Sequence, residues 1–290
     1  MRILVTGAGG FAGGHMARRL AEAGHHVFAL TRSSPVEAPA SAAATERFEV
    51  VTAALDQKET LPPEIDAIVH TAATSIWHGI SVDSMIADNV IATRALINHA
   101  LDVKARAFIF FSSISAFGRV AVGALDESVP TTDPDAYGAT KILGEQHLAD
   151  VAARLPSLSI RLPAVIGRGS KRNWPSEVLR KLRAVEDLSF FNPQTPFNNV
   201  VHEADLAALV ASALGKELAG HDMVVVGSGG QTTSGAVVDL LVAETGSASR
   251  ITTREEARHS FLIDCDRARQ RYGFEPMPVE EAVRRFARET

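Results

Sequence analysis

The sequence is poor in the features that mark several protein classes, and each shortage excludes something. Among 290 residues there is one cysteine, Cys265. An internal disulfide and a cysteine-rich zinc site are therefore excluded. A lone thiol of this kind is either a packed small apolar residue or a half-exposed group. No apolar run reaches the about 18 residues that a membrane-spanning helix needs. Charge of one sign does not accumulate: 29 Lys and Arg stand against 34 Asp and Glu, a formal net charge of −5. No global basic field recruits nucleic acid or an anionic membrane. The ten histidines lack metal-ligand spacing, with His25 and His26 adjacent and His70, His78, His99 and His147 scattered. No metal is expected on that ground. No internal repeat is visible. One Arg precedes the first apolar run, so a signal peptide is not expected and the expected compartment is the cytoplasm.

What is present is a chain with 46% hydrophobic and 22% charged residues, enough for one large core or a core with a smaller lobe. Strand-like runs recur at 3–6, 27–30, 48–51, 67–70, 107–112 and 157–161. Helical patterns fall at 13–23, 82–101 and 137–155 between them. This alternation predicts an α/β fold, a Rossmann-like doubly wound parallel sheet with right-handed crossovers. Residues 33–45, rich in Ala, Ser and Pro, read as a loop. After Gly167 the alternation weakens. Helices are expected at 174–188, 203–214, 235–244, 265–272 and 279–288, with a strand at 223–226.

Two local patterns carry chemistry. The chain opens with a short apolar strand followed by Thr6, Gly7, Ala8, Gly9, Gly10, Phe11, Ala12 and Gly13, then a segment of helical period. Strand, glycine turn and helix start are the context of a dinucleotide fingerprint. Glycine lets the backbone approach a pyrophosphate, and the helix N-terminus offers N–H groups to it. The glycines fit both G-x-G-x-x-A and T-G-x-x-G-x-x-G spacing. The second pattern is Tyr137 with Lys141, four apart and so on one face of a helix. A free phenol has a pKa of about 10, and a nearby cation lowers it. The pair could thus form an acid–base group, although Tyr and Lys at this spacing also occur on ordinary packing helices.

Together these motifs resemble the extended branch of the short-chain dehydrogenases/reductases, the NAD-dependent epimerase/dehydratase family. The resemblance continues in order through Asp66–Ala73, Asn89 and Thr93, Phe110–Gly118 with its Ser112-Ser113 pair, Tyr137 and Lys141, Arg161-Leu162-Pro163, and Val201–Leu206. It implies catalytic roles for three residues. Ser113 would hydrogen-bond the reacting substrate oxygen, Tyr137 would move its proton, and Lys141 would hold the nicotinamide ribose and depress the Tyr137 pKa. It further implies dinucleotide contacts from Gly7, Gly10, Phe11, Ala12, Gly13, Thr31, Arg32, Ser33, Ala72, Ala73, Asn89, Tyr137, Lys141 and Pro163. Substrate contacts would come from Ser113, Ser115, Tyr137 and Ala164. Residues 1–167 would form the NAD(P)-binding domain. Residues 168–290 would be mainly a substrate-binding lobe, with segments returning to the main domain.

The end of the second strand bears on the cofactor. Thr31 stands where NAD-binding relatives carry Asp, and Arg32, Ser33 and Ser34 suit a 2′-phosphate. NADP is therefore expected, with NAD as the alternative. Ala54 occupies the place of a common adenine-contacting Asp, and Asp56 is close by. The expected activity is reversible hydride transfer at a secondary alcohol or ketone of a nucleotide-linked sugar, as a 4-epimerase or 4-ketoreductase. Two features depart from the nucleotide-sugar pattern: Ala164 replaces an Asn, and Asn198 replaces an Arg that grips the diphosphate. Lys171, Arg172, Arg254 or Arg258 could compensate. The alternatives are reduction of a non-sugar carbonyl or aldehyde, suited by Phe190, Phe191 and Phe197, and a dinucleotide-binding regulator without catalysis. Trp77, His78 and Arg119 are further pocket candidates. The expected partner is a small-molecule substrate, with a homodimer compatible.

Overall fold

Seven apolar runs assemble into one sheet. In a computed structural model, which describes residues 1–75, 79–257 and 260–290, the strands are β1 Arg2–Thr6, β2 His26–Thr31, β3 Phe48–Thr52, β4 Ala67–His70, β5 Ala107–Ser113, β6 Ser157–Leu162 and β7 His221–Val225. Their spatial order is β7-β6-β5-β4-β1-β2-β3. The pairs β1–β2, β1–β4, β2–β3 and β4–β5 are parallel. The order reverses between β1 and β4, the switch point outside which ligands bind in open α/β sheets. The central strands β1 and β4 carry the apolar runs Ile3–Val5 and Ala67–Val69 because both faces are covered. The doubly wound Rossmann-like fold is thus as expected.

Three helices position the site. Helix α1, Phe11–Glu22, buries Met16, Ala17, Leu20 and Ala21, a stripe of helical spacing. Helix α2 runs from Val82 to Asp102 in three parts: an α-helical turn at Val82–Ile86, a π-helical turn at Ala87–Ile91 and an α-helix at Ala92–Asp102. The sequence pattern predicts one regular helix there; the wider turn inserts a residue and aims Asn89 inward. Helix α3, Ala136–Asp150, starts at Asp135, whose Oδ1 accepts from Gly138 N–H at 2.6 Å. It ends earlier than the pattern suggests, because a turn at Val151 delivers Leu155 to the core. The 33–45 segment contains a short helix, Ala42–Thr45, capped by Ser41.

The chain divides into two compact units: residues 1–119, 130–161 and 207–224, and residues 120–129, 162–206 and 225–290. The first is built on Leu4, Phe28, Leu30, Ile68, Leu96, Phe108, Phe110 and Leu148. The second is built on Ile166, Leu179, Leu182, Phe190, Val200, Val238, Val283 and Phe286. Helices Trp174–Arg183, Ser234–Thr245 and Val279–Glu289 supply much of that core. The first of these stops short of the expected Leu188, since Val185 takes a left-handed φ of 54° and a strand begins at Leu188. Several strands of two to four residues in this unit have no sequence signal of their own.

In the second unit Cys265 is buried, with Sγ accepting from Gly227 N–H at 3.1 Å. Burial pushes its thiol up to about 11. His202, Glu203 and Glu289 bring potential metal-ligand atoms within 4.8 Å of one another. His202 Nδ1 accepts from Ala204 N–H, which leaves the ring proton on Nε2, 3.2 Å from Glu289 Oε2. Arg285 Nε also donates to Glu289 at 2.6 Å. A guanidinium already pairs with that carboxylate and burial keeps the nearby His202 ring neutral, so the cluster has a structural duty at the last helix. No described helix is long and apolar enough to cross a membrane.

Helix α3 sits close to its neighbours because Gly138 has no side chain. A Cβ there would lie 2.1 Å from the Ser115 carbonyl oxygen, a backbone atom that cannot turn aside. Gly138→Ala should therefore cost about 1–3 kcal/mol in urea denaturation. Gly123→Ala, which meets nothing within 4 Å, should be nearly neutral. Equal stability of the two variants would show that α3 is free to shift.

Candidate active site

The glycine turn after β1 lines a cavity of about 630 Å³ in the first unit, within the size range of small-molecule and cofactor sites. Each glycine of the T-G-x-x-G-x-x-G spacing has a separate reason. Gly7 takes φ +71°, and a Cβ there would lie 2.9 Å from the Ala72 backbone. A Cβ on Gly13 would lie 2.3 Å from the Gly7 carbonyl oxygen. Gly10, the exposed N-cap of α1, has only the Gly7 oxygen nearby at 3.2 Å, so its open side faces the cavity. No side chain caps α1. The helix start thus presents backbone N–H groups and its positive dipole end to the cavity, which suits a pyrophosphate.

The rest of the wall comes from the ends of β2, β3 and β4. Thr31 ends β2 and Arg32, Ser33 and Ser34 follow it; Ala53 to Asp56 follow β3; Thr71 to Thr74 follow β4. From α2 come Ala87, Asp88, Ile91 and Ala92. The structure therefore brings together Gly7, Gly10, Phe11, Ala12, Gly13, Thr31, Arg32, Ser33, Ala72 and Ala73. Arg32 Nη1 lies 3.3 Å from Asp88 Oδ1, and Thr74 Oγ1 donates to Asp88 Oδ2 at 2.5 Å. Asp88 was not legible beforehand: its partner Arg32 is 56 positions away, and only the π-helical turn directs it to the cavity.

Asn89 does not line the cavity. Its buried amide accepts from Thr74 N–H at 2.7 Å, donates to the Thr74 carbonyl at 2.7 Å and donates to Thr140 Oγ1 at 3.1 Å. Thr140 in turn donates to the Tyr137 carbonyl at 2.7 Å. A continuous hydrogen-bond chain thus links the cavity wall to the start of α3. Ser113, Tyr137, Lys141 and Pro163 also lie off the cavity wall. Pro163 and Ala164 belong to the second unit, where Ala164 begins a strand paired in parallel with Val200–His202.

Ser113 ends β5, and its Oγ accepts from Ser115 N–H at 3.1 Å as the next four residues turn. Tyr137 and Lys141 stack along α3. Lys141 is 2% exposed, donates from Nζ to the Phe111 carbonyl at 2.8 Å and lies 4.8 Å from the Phe110 ring centroid. Its Nζ is 5.6 Å from the centroid of the Tyr137 ring. The expected depression of the Tyr137 pKa is corrected here. Burial first, then Asp135, pushes the phenol up to about 12, while burial pulls Lys141 down to about 7. Both charged forms lose hydration in this pocket, and the ammonium is aimed at a carbonyl and the Phe110 ring. Beneath Lys141 lies His70, taken down to about 3 by burial and by Lys141. Its Nδ1 bonds Thr6 Oγ1 at 2.7 Å and its Nε2 bonds Thr93 Oγ1 at 2.8 Å.

Other candidates have structural occupations. Arg119 pairs with Asp133 at 3.0 Å. Phe190 is buried in the second core, and Trp174 packs on Phe190 and Phe197. Asn198, 4% exposed, donates to the Ile263 carbonyl at 2.9 Å and accepts from Ile263 N–H at 2.8 Å. It clamps a strand and has no free reach toward a diphosphate. Lys171 and Arg172 are exposed, and Arg254 ends a strand. Trp77, His78 and Arg258 lie outside the described residues.

We expect Gly10→Val to fold with a melting temperature within about 4 °C of wild type and to lose NADH binding in a fluorescence titration. Gly13→Ala should lower both, because its Cβ strikes backbone. Normal NADH affinity in folded Gly10→Val would remove phosphate from this turn.

The comparisons agree with this geometry. The profile of the family described as NAD dependent epimerase/dehydratase matches residues 3–227. A dTDP-6-deoxy-L-talose 4-dehydrogenase (NAD(P)(+)) from Kitasatospora kifunensis is 29% identical over 268 residues, covering 87% of this chain and 81% of that protein. A D-erythronate dehydrogenase from Cupriavidus necator is 28% identical, covering 91% and 88%. Among solved structures, a UDP-glucuronic acid 4-epimerase from Bacillus cereus in complex with NAD superposes with a TM-score of 0.85 at 20% identity, covering 100% of this chain and 96% of that one. With the profile spanning the glycine turn, Ser113, Tyr137 and Lys141, the chain belongs to the NAD-dependent epimerase/dehydratase family.

Proposed function

We propose that this protein is an NAD(P)-dependent oxidoreductase or epimerase acting by reversible hydride transfer at a secondary alcohol or ketone of a nucleotide-linked sugar, as a 4-epimerase or 4-ketoreductase. The observation that carries the reading is the pairing of a glycine-walled cavity with a Tyr–Lys helix tied to its wall through Asn89. The turn fits a dinucleotide because Gly7 and Gly13, whose Cβ atoms would strike the protein's own atoms, let it close tightly, while Gly10 leaves the cavity side of the helix start open. A bound nicotinamide dinucleotide would supply the hydride acceptor or donor. In the reduction direction the Tyr137 phenol, kept protonated by burial, would give its proton to the substrate carbonyl oxygen as that carbon becomes a secondary alcohol. Ser113 Oγ hydrogen-bonds the same oxygen as charge develops on it. Lys141 Nζ would hold ribose hydroxyls of the dinucleotide and offset the phenolate left behind.

A second reading has specific support. Asn198 is committed to Ile263, and a relative bears the name of an enzyme acting on D-erythronate, which carries no nucleotide. Turnover on a panel of UDP- and dTDP-sugars, with D-erythronate alongside, separates the two. Mass and absorbance of any co-purified cofactor test the dinucleotide directly.

For the cofactor we favour NADP(H), since Arg32, Ser33 and Ser34 line the cavity beyond β2 and no acid follows that strand. Arg32→Ala should weaken NADPH binding by about tenfold or more and leave NADH within about twofold. Equal losses for both cofactors overturn the preference. Tyr137→Phe should keep cofactor affinity and lose about 10²–10⁴ in turnover. A variant with more than about a tenth of the wild-type rate would contradict proton transfer by Tyr137.

A further inference from the structure

Helix α3 carries a third functional position one turn beyond Lys141. Tyr137, Lys141 and Glu145 fall at i, i+4 and i+8 on one helical face. Glu145 is 8% exposed, yet its carboxylate is fully engaged. Ser112 Oγ donates to Oε1 at 2.5 Å. Arg161 binds both oxygens, Nε to Oε1 at 2.9 Å and Nη2 to Oε2 at 2.7 Å. The guanidinium is itself only 7% exposed and lies 4.3 Å from the Phe117 ring centroid. Ser112 is the neighbour of Ser113, and Phe117 closes the turn that Ser113 opens. The buried network thus touches the serine strand and the Tyr–Lys helix at once.

We propose that Glu145 is a positioning residue for the Tyr137–Lys141 pair, its carboxylate locked by Ser112 and Arg161 so that a fixed negative charge sits one helical turn from the Lys141 ammonium. A bidentate Arg–carboxylate pair is more than packing needs here: apolar residues of similar volume fill buried sites at least as stably. A buried carboxylate beside a buried lysine has a distinct use. It supplies a counter-charge that solvent cannot reach. The surrounding groups fit that use. His70 on β4, held neutral, and Tyr137 on α3 face Lys141, Asp135 faces the phenol, and Arg161 on β6 and His221 on β7 face the carboxylate. Burial pulls Lys141 down to about 7 and Glu145 pushes against that fall. At neutral pH the ammonium is therefore poised, and small changes in its counter-charge alter how much of it is present.

The inference rests on the dinucleotide reading, and the test keeps the two failures apart. The NADH dissociation constant is measured by fluorescence from pH 5.5 to 9.5. Wild type should lose affinity as pH rises through the Lys141 titration, since a charged donor binds ribose hydroxyls more strongly than a neutral one. Lys141→Met should lack that limb. Glu145→Gln should move the midpoint down by about one pH unit. Arg161→Gln strips the carboxylate of its competing cation and should move the midpoint up. Glu145→Asp, which keeps the charge, should restore most of the wild-type value. Opposite shifts from two disruptive changes in one network are not a signature of lost stability. If Glu145→Gln does not fold, Arg161→Gln and Glu145→Asp decide alone. Unchanged midpoints in folded variants, or shifts in the same direction for Glu145→Gln and Arg161→Gln, overturn the proposal. Absence of both NADH and NADPH binding by wild type at every pH defeats the dinucleotide reading itself.

Discussion

Backbone contact between the turn after β1 and the turn after β4 is the constraint on which the cavity depends. Gly7 rests against Ala72, Gly13 rests against Gly7, and no side chain fits between them. Polar atoms fasten the same contact. Thr71 Oγ1 donates to the Thr6 carbonyl at 2.7 Å, Ala72 N–H reaches Thr6 Oγ1 at 3.3 Å, and His70 bonds that hydroxyl from below. Burial keeps His70 neutral, so the fastening stays intact across the physiological pH range. With the two turns fixed, the start of α1 and the loop after β4 face each other across the cavity.

From that contact the chain of positions runs outward. The loop after β4 is held by Asn89, Asn89 by the π-helical turn, and Thr140 hands the restraint to α3. Gly138 brings α3 against Ser115, beside the serine strand. Lys141, Glu145 and Arg161 then lie in order beneath the same face. The catalytic candidates and the cavity wall are thereby placed by one connected set of short-range contacts within a single unit.

What was legible in the sequence followed local backbone rules. Glycine spacing at 7, 10 and 13 announces a turn because only backbone sterics are involved. The Tyr137–Lys141 spacing announces a shared face because helical period is local. Strands β1, β2, β4 and β5 were readable because burial on both faces leaves each with a continuous apolar run. The remainder depends on partners distant in sequence. The inward aim of Asn89 needs an inserted residue with no compositional mark. The raised Tyr137 and lowered Lys141 follow from burial, which spacing does not report. Asn198 stands in the sequence only as a departure from a diphosphate-gripping Arg, and its bonds to Ile263, 65 positions away, show no local mark. The short strands at Ala124–Leu125 and Leu262–Ile263 take their register from each other and have too few residues to show a period.

The π-helical turn in α2 acts as a phase shifter. A residue in an α-helix turns about 100° from its predecessor, so one extra residue resets the azimuth of everything on its far side. Here that reset lets adjacent residues face opposite duties, Asp88 toward the cavity and Asn89 toward the protein interior, while Thr93 still meets His70 in the next turn. Removing a single residue from the turn would leave composition and helical propensity almost unchanged. It would nonetheless rotate one end of the helix against the other and detach either the cavity wall or the buried histidine. The helix is consequently intolerant of length changes at a place where substitutions alone would look harmless.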